Sequence, residues 1–299
     1  MRILVTGASG LIGTALREAL AKKGWETLLV SRASPTDANQ IQWDAESGFR
    51  IEDVTRLEGL DAVVHLAGEP VSGLRWTESK KQAIRDSRVY GTRSLVDTLA
   101  KLKHKPEVLV SASALGFYGD RGDDVMTESN MAGDTFLANT SREWEAESRR
   151  AEDLGIRTVI VRTGIVLAKL GGALSAMLTP FKFGVGGIIG SGKQWMSWIS
   201  LDDIVAIYIE AITNGKLRGA INGVSPHPVT NEEFTKTMGD VLNRPTFVPL
   251  PEFAVNLVFG EMGDAFLLDS TRVIPKRLED AGFQFMYPDL KGALNQALS

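Results

Sequence analysis

Along the first 165 residues, short runs of β-branched and other apolar residues alternate with longer stretches whose apolar positions recur at helical spacing. Ile3 to Thr6, Thr27 to Ser31, Gln40 to Trp43, Ala62 to Leu66, Val108 to Ser111 and Thr158 to Val161 predict strands. Gly13 to Gly24, Glu78 to Lys101 and Thr140 to Leu154 predict helices between them. Apolar runs without strict alternation suit strands covered on both faces. The rhythm predicts an α/β fold, a doubly wound parallel Rossmann sheet with ligands at the carboxyl ends of its strands. After Arg162 the pattern breaks up: residues 164–192 are rich in glycine and aliphatic residues, and prolines gather at 226–228 and 245–251. Two units are expected, a Rossmann domain over 1–165 and a smaller C-terminal substrate lobe over 166–299. About 202–224 is expected to return to the main sheet.

The first strand runs straight into Thr6-Gly7-Ala8-Ser9-Gly10-Leu11-Ile12-Gly13, which opens the first helix. Gly7 permits the tight turn, Gly10 lets backbone approach a pyrophosphate, and Gly13 allows helix to pack closely on strand. The helix start adds free N–H groups and the positive end of a dipole, so Ser9, Leu11 and Ile12 join the three glycines as candidate phosphate contacts. The second strand then ends in Ser31-Arg32, where an NAD-preferring site would carry Asp or Glu for the ribose hydroxyl. A hydroxyl and a guanidinium fork suit a 2′-phosphate, which selects NADP(H) and makes the first unit an NADP-binding domain.

Composition narrows the function classes further. The 299 residues include no cysteine, 43% are hydrophobic and the net charge is −4. Disulfide scaffolds, thiol chemistry and disorder are excluded, and no global field exists to capture nucleic acid or an anionic membrane. No apolar run approaches 18 residues, and the first residues enter a strand directly, so a cytoplasmic location is expected. His65, His104 and His227 lack partners at metal-ligand spacing, and no metal site is expected.

With these residues in hand, the chain resembles the extended short-chain dehydrogenase/reductase superfamily. Within it the chain is similar to the atypical group described as epimerase family proteins, in some lineages as cell-division inhibitors. The likeness covers nearly the whole length. It includes Leu66-Ala67-Gly68-Glu69-Pro70, Arg75-Trp76-Thr77, Ser111-Ala112-Ser113 with Tyr118-Gly119, and Trp144-Glu145. It continues through Arg162-Thr163-Gly164, Gly190-Ser191-Gly192-Lys193-Gln194, Trp198-Ile199 and Asn222-Gly223-Val224-Ser225-Pro226. The resemblance implies that Leu66 and Ala67 line the adenosine and ribose side of the cofactor. It also implies that Gly68, Glu69, Ser111, Gly164 and Ile165 border the cofactor. Arg88 is implied near the phosphates or the nicotinamide ribose, where extended members usually carry Asn.

A typical reductase of this superfamily uses Ser/Thr, Tyr and a Lys four residues later, the cation lowering the phenol pKa. Aligning Glu145 with the acidic residue that follows that motif puts Leu137 in the Tyr place and Ser141 in the Lys place. Only Tyr287 and Lys291 have the spacing, at the far end of the chain. Anchoring on Tyr118-Gly119 puts Ala114 at the Ser/Thr position, one residue after Ser113. Two readings follow. In the first, hydride transfer to or from NADP(H) persists on an unidentified small molecule, with Tyr118, Ser113 or Glu69 doing acid–base work. In the second, the chain is a catalytically impaired NADP(H) sensor acting through a protein partner. Arg75, Lys193 and Trp195 are the candidate substrate contacts, since cation and indole can stack a base or sugar. A homodimer or another protein is the expected macromolecular partner.

Overall fold

The computed structural model describes all residues except 33, 36, 37, 45–47, 50–53 and 74. β1 (Arg2–Thr6) leads through the glycine turn into α1 (Leu11–Lys22), then β2 (Glu26–Ser31), β3 (Gln40–Asp44) and the two-residue β4 (Gly48–Phe49). The first half continues with β5 (Ala62–His65), α2 (Glu78–Ala100), β6 (Val108–Ala114), β7 (Val125–Met126), α3 (Phe136–Arg149) and β8 (Arg157–Thr163). Next come β9 (Ile165–Leu167), α4 (Gly172–Lys182), β10 (Trp195–Met196), β11 (Trp198–Ser200), α5 (Leu201–Thr213) and β12 (Gly219–Gly223). The chain ends through β13 (Val229–Thr230), α6 (Asn231–Leu242), α7 (Glu252–Phe259), β14 (Arg272–Val273), α8 (Lys276–Asp280) and α9 (Leu290–Leu298).

The central sheet has the order β12-β8-β6-β5-β1-β2-β3-β4, parallel throughout except for β4, which pairs antiparallel with β3. Alternate residues of each strand serve opposite faces. Ile3, Val5, Val64 and Val110 pack with Leu16 and Leu20 of α1 and with Ile204, Ile207 and Tyr208 of α5. Leu4, Val63 and Leu109 pack on the other side with Leu95, Val96 and Leu99 of α2. The sheet is therefore doubly wound. Of the element ends that differ from the expected ones, two have a clear local cause. β6 runs on to Ala114 because it lies between β5 and β8, and its pairing with β8 continues to Ala114–Thr163. α3 starts at Phe136, not near Thr140, because the Thr135 hydroxyl caps it by accepting from the Ala138 N–H.

β12 sits at the sheet edge beside β8, after α5 has crossed over the α1 face. A separate core joins Leu174, Leu178 and Phe181 of α4, Trp198 of β11, Phe234 and Met238 of α6, and Leu290 and Leu294 of α9. Three short strand pairs, β9 with β11, β10 with β13 and β7 with β14, tie this lobe over the carboxyl ends of the sheet. Between α7 and β14, Asp264–Leu268 forms one π-helical turn, closed by the Asp269 N–H on the Asp264 carbonyl at 2.8 Å. Among the described residues, no helix is long and apolar enough to cross a membrane.

Candidate functional site

The chain leaves β1 toward β2 on one side and returns at β5 on the other, so the loops after these two strands part and open a crevice. The resulting cleft holds about 560 Å³. Gly7, Gly10, Gly13, Leu66 and Gly68 line one part of it, and Trp195, Phe266, Leu267, Asp269 and Thr271 line another.

Each glycine of the turn has a local reason. Gly7 has φ +67°, and a Cβ there would lie 2.6 Å from the Leu66 carbonyl carbon, where the β5 loop crosses. A Cβ on Gly13 would overlap the Gly7 carbonyl oxygen, so α1 could not pack on the turn. A Cβ on Gly10 would approach that oxygen only to 3.3 Å, so the fold tolerates it more readily. No side chain caps α1, which leaves its first-turn N–H groups to a ligand. The turn is braced from beneath by the Thr6 hydroxyl, which accepts from the Leu66 and Ala67 N–H groups and meets His65 Nδ1 at 2.7 Å. With its lone pairs so occupied, Thr6 donates to Nδ1, and His65 Nε2–H donates to Thr92 at 3.0 Å. Burial pushes the His65 pKa down to about 4, so it is a neutral brace and not a titrating group near pH 7.

Leu11, Ile12, Gly164 and Ile165 line the cleft with these glycines, as do Glu69 and Arg88. Arg88 packs against Gly68 and lies over the Trp144 ring, its carbon Cζ 5.3 Å from the ring centre. Its Nη1 donates to the carbonyls of Glu69 and Ile84. Desolvation lowers its pKa to about 10, which leaves it a cation. Glu69 accepts from Lys80 Nζ at 2.7 Å. Ser31 and Arg32 stand at the carboxyl end of β2, Arg32 exposed. Ser9 borders an adjoining groove on the far side of Leu11.

Ser113 lines the cleft, and its hydroxyl donates to Glu145 Oε1 at 2.9 Å. Glu145 is fully buried in a bidentate pair with Arg162, at 2.7 and 2.8 Å, and also accepts from Arg149. Burial works against the Arg162 cation, but the Glu145 carboxylate outweighs it and holds the guanidinium pKa above its ordinary value. Leu137 and Ser141, in the Tyr and Lys places, both line the cleft. The opposite wall carries Gln194, Trp195, Asn231, Asp269 and Thr271. Asp269 was missed in the sequence because it belongs to no motif. Burial first, then the nearby carboxylates Asp120 and Asp264, raise its pKa to about 6. Three lining residues keep a buried polar atom without a hydrogen-bond partner, Trp144 Nε1, Gln194 Oε1 and the Tyr208 hydroxyl.

Several expected residues lie elsewhere. Tyr118 is fully buried outside the cleft lining, its hydroxyl accepting from Arg162 at 2.9 Å and donating to Asn222 at 2.7 Å. Burial raises its pKa, the reverse of what a catalytic phenol needs. Ser111 is buried against Ser148 of α3, and Ala67 packs into the core on the α2 face. Arg75 turns to the carboxyl end of α7, donating to the carbonyls of Leu257 and Val258. Lys193 is exposed to solvent. Tyr287 packs in the lobe core, so its spacing with Lys291 has no place in the cleft. Among the described residues, no group of three or more His, Asp or Glu stands together as a metal site.

Residues 3–222 match the NAD dependent epimerase/dehydratase family, and residues 250–297 match a domain of unknown function, DUF1731. An epimerase family protein of Mycobacterium bovis is 42% identical over 99% of this chain and 97% of its own. The crystal structure of human epimerase family protein SDR39U1 with NADPH is 37% identical and covers 100% of both chains, with a TM-score of 0.91. A nucleoside-diphosphate sugar epimerase from Corynebacterium glutamicum is 35% identical, with a TM-score of 0.80, over 99% of this chain and 58% of its own.

Proposed function

The chain belongs to the NAD dependent epimerase/dehydratase family, and from that premise we propose that it is an NADP(H)-binding oxidoreductase or epimerase-like enzyme of a small molecule. It would work without a Tyr-x-x-x-Lys pair. One observation carries this reading: the uncapped glycine turn and a wall with an ionisable carboxyl border one continuous cleft. Arg32, with no acidic residue beside it at the end of β2, favours the 2′-phosphate. The human relative crystallised with NADPH supports the same choice.

A bound dihydronicotinamide supplies the hydride for reducing a carbonyl carbon. The protein must then supply one proton to the carbonyl oxygen. Ser113 has committed its proton to Glu145 and can only accept. Asp269 changes its charge near pH 6, so its carboxyl gives that proton and is recharged from solvent. In the oxidative direction its carboxylate takes the proton.

The experiment is to follow NADPH oxidation against a panel of uncharged aldehydes and ketones and of sugar nucleotides. Reduction should be fastest below about pH 6 and fall as Asp269 loses its proton above it. Asp269→Asn should lower kcat by about 10²-fold while NADPH still binds. A variant as fast as the parent would remove Asp269 from the chemistry. Leu137 and Ser141 in the cleft favour a second reading, an NADP(H) sensor acting through a protein partner. Saturable NADPH binding with no turnover of any compound would favour it.

A further inference from the structure

We infer that the cleft beyond the glycine turn is a site for a small molecule that is uncharged or cationic and carries no phosphate, with Asp269 and the Gln194 amide oxygen as its polar contacts. This rests on the reading above, in which a dinucleotide occupies the other part of the cleft.

Among the described residues, the charged side chains lining the cleft are Glu69, Arg88 and Asp269. Glu69 is paired with Lys80, and Arg88 lies against Gly68 on the β5 loop. The opposite wall is left with a single ionisable group, and it is an acid. None of the cations near this wall is among its lining residues. Arg75 is tied to the end of α7, Lys193 is in solvent, and Arg121 donates to the carbonyls of Tyr118 and Met131. Arg272 lies against the Trp195 ring, its Cζ 4.1 Å from the ring centre. A diphosphate placed against this wall would lose its hydration beside a carboxylate, with no cation on the wall itself to replace it. Leu115, Leu137, Met177, Met196, Phe266 and Leu267 instead offer apolar contact.

Gln194 adds an independent sign of a ligand. It is 7% exposed, and its Nε2 donates at 2.9 Å to both the Ile189 and Leu267 carbonyls. Those two bonds use both amide protons and fix which end of the amide is which. Oε1 is thereby held as an acceptor, buried and without a partner. An orphan acceptor in a wall costs free energy unless something donates to it, so a hydroxyl or N–H on the bound molecule is the complement.

The test uses protein first saturated with NADP+, with that titration recorded on its own. Phenethyl alcohol, phenethylamine and phenethyl phosphate share one skeleton and differ in charge; UDP-glucose is the fourth probe. At about pH 8, the alcohol and the ammonium should bind saturably, and both phosphates at least about tenfold more weakly, a gap of about 1.4 kcal/mol. The preference for the ammonium over the alcohol should fade as the pH falls through about 6 and Asp269 is neutralised. Asp269→Asn should abolish that preference at every pH. Equal or tighter binding of either phosphate, failure of the alcohol and the ammonium to bind, or a charge ranking unchanged in the Asn variant would overturn the inference. Failure of NADP+ itself to bind would appear in the first titration and would strike the underlying reading instead.

Discussion

The Tyr118 hydroxyl serves Arg162 and Asn222 at once, and the Arg162 guanidinium is held by a carboxylate with no exposure to water. Removing one member leaves the others buried and unpaired. Tyr118→Phe should lower stability by about 1–3 kcal/mol in chemical denaturation and leave NADPH binding unchanged. Glu145→Gln should cost about 3–5 kcal/mol, because Arg162 would keep a buried charge without its counter-ion. Asp269 behaves in the opposite way. Its pKa in the folded chain, about 6, lies above the value near 3.9 of an unfolded Asp, so its charge opposes folding. That opposition is complete above about pH 6 and vanishes as pH falls toward 4. Asp269→Asn should therefore be more stable than the parent at about pH 8, with the gain disappearing between about pH 6 and 4. A gain that persisted at low pH would contradict the assigned titration. His65 gives a separate pH limit. Its folded pKa of about 4 lies below the unfolded 6.5, so stability is intact above 6.5 and is lost as pH falls from there to 4.

At the scale of elements, the glycine turn was legible because its demands are local: a positive φ at Gly7 and close backbone at Gly13 follow from a strand turning directly into a helix. Gly10→Ala disturbs folding least of the three, since its Cβ would meet the Gly7 carbonyl oxygen at 3.3 Å, a tight contact, but closer ones arise at Gly7 and Gly13. That variant should fold and lose about tenfold or more in NADPH affinity, whereas Gly7→Ala should lose stability as well. The start of α3 was less legible, because a threonine at 135 or at 140 can cap a helix, and the Ala138 N–H bond to Thr135 that decides between them is seen only in the fold. Arg75 and Tyr118 were misplaced for a shared reason. Each is a polar residue near a strand end, and its partner, the end of α7 or Asn222, is more than a hundred residues away in the chain. Asp269 escaped notice because its raised pKa comes first from burial and then from Asp120, both supplied only by the fold.

Across the whole molecule, the doubly wound sheet follows from a pattern repeated many times, and so it could be read before the structure was known. The lobe was legible only as a smaller C-terminal unit and not in its architecture, because its strands are two or three residues long and carry no period. Yet the lobe supplies the wall of the cleft, and the sheet supplies the turn; the proposed activity needs both on one cavity. Trp144 and Trp195 line that cavity, so quenching of tryptophan emission during parallel NADPH and NADH titrations reads cofactor entry directly. Saturable quenching by NADPH is predicted, at least about tenfold tighter than NADH, with that margin largely lost in Arg32→Ala and overall affinity reduced in Gly10→Ala. NADH binding as tightly as NADPH, or NADPH binding unchanged in the Gly10→Ala variant, would contradict the account.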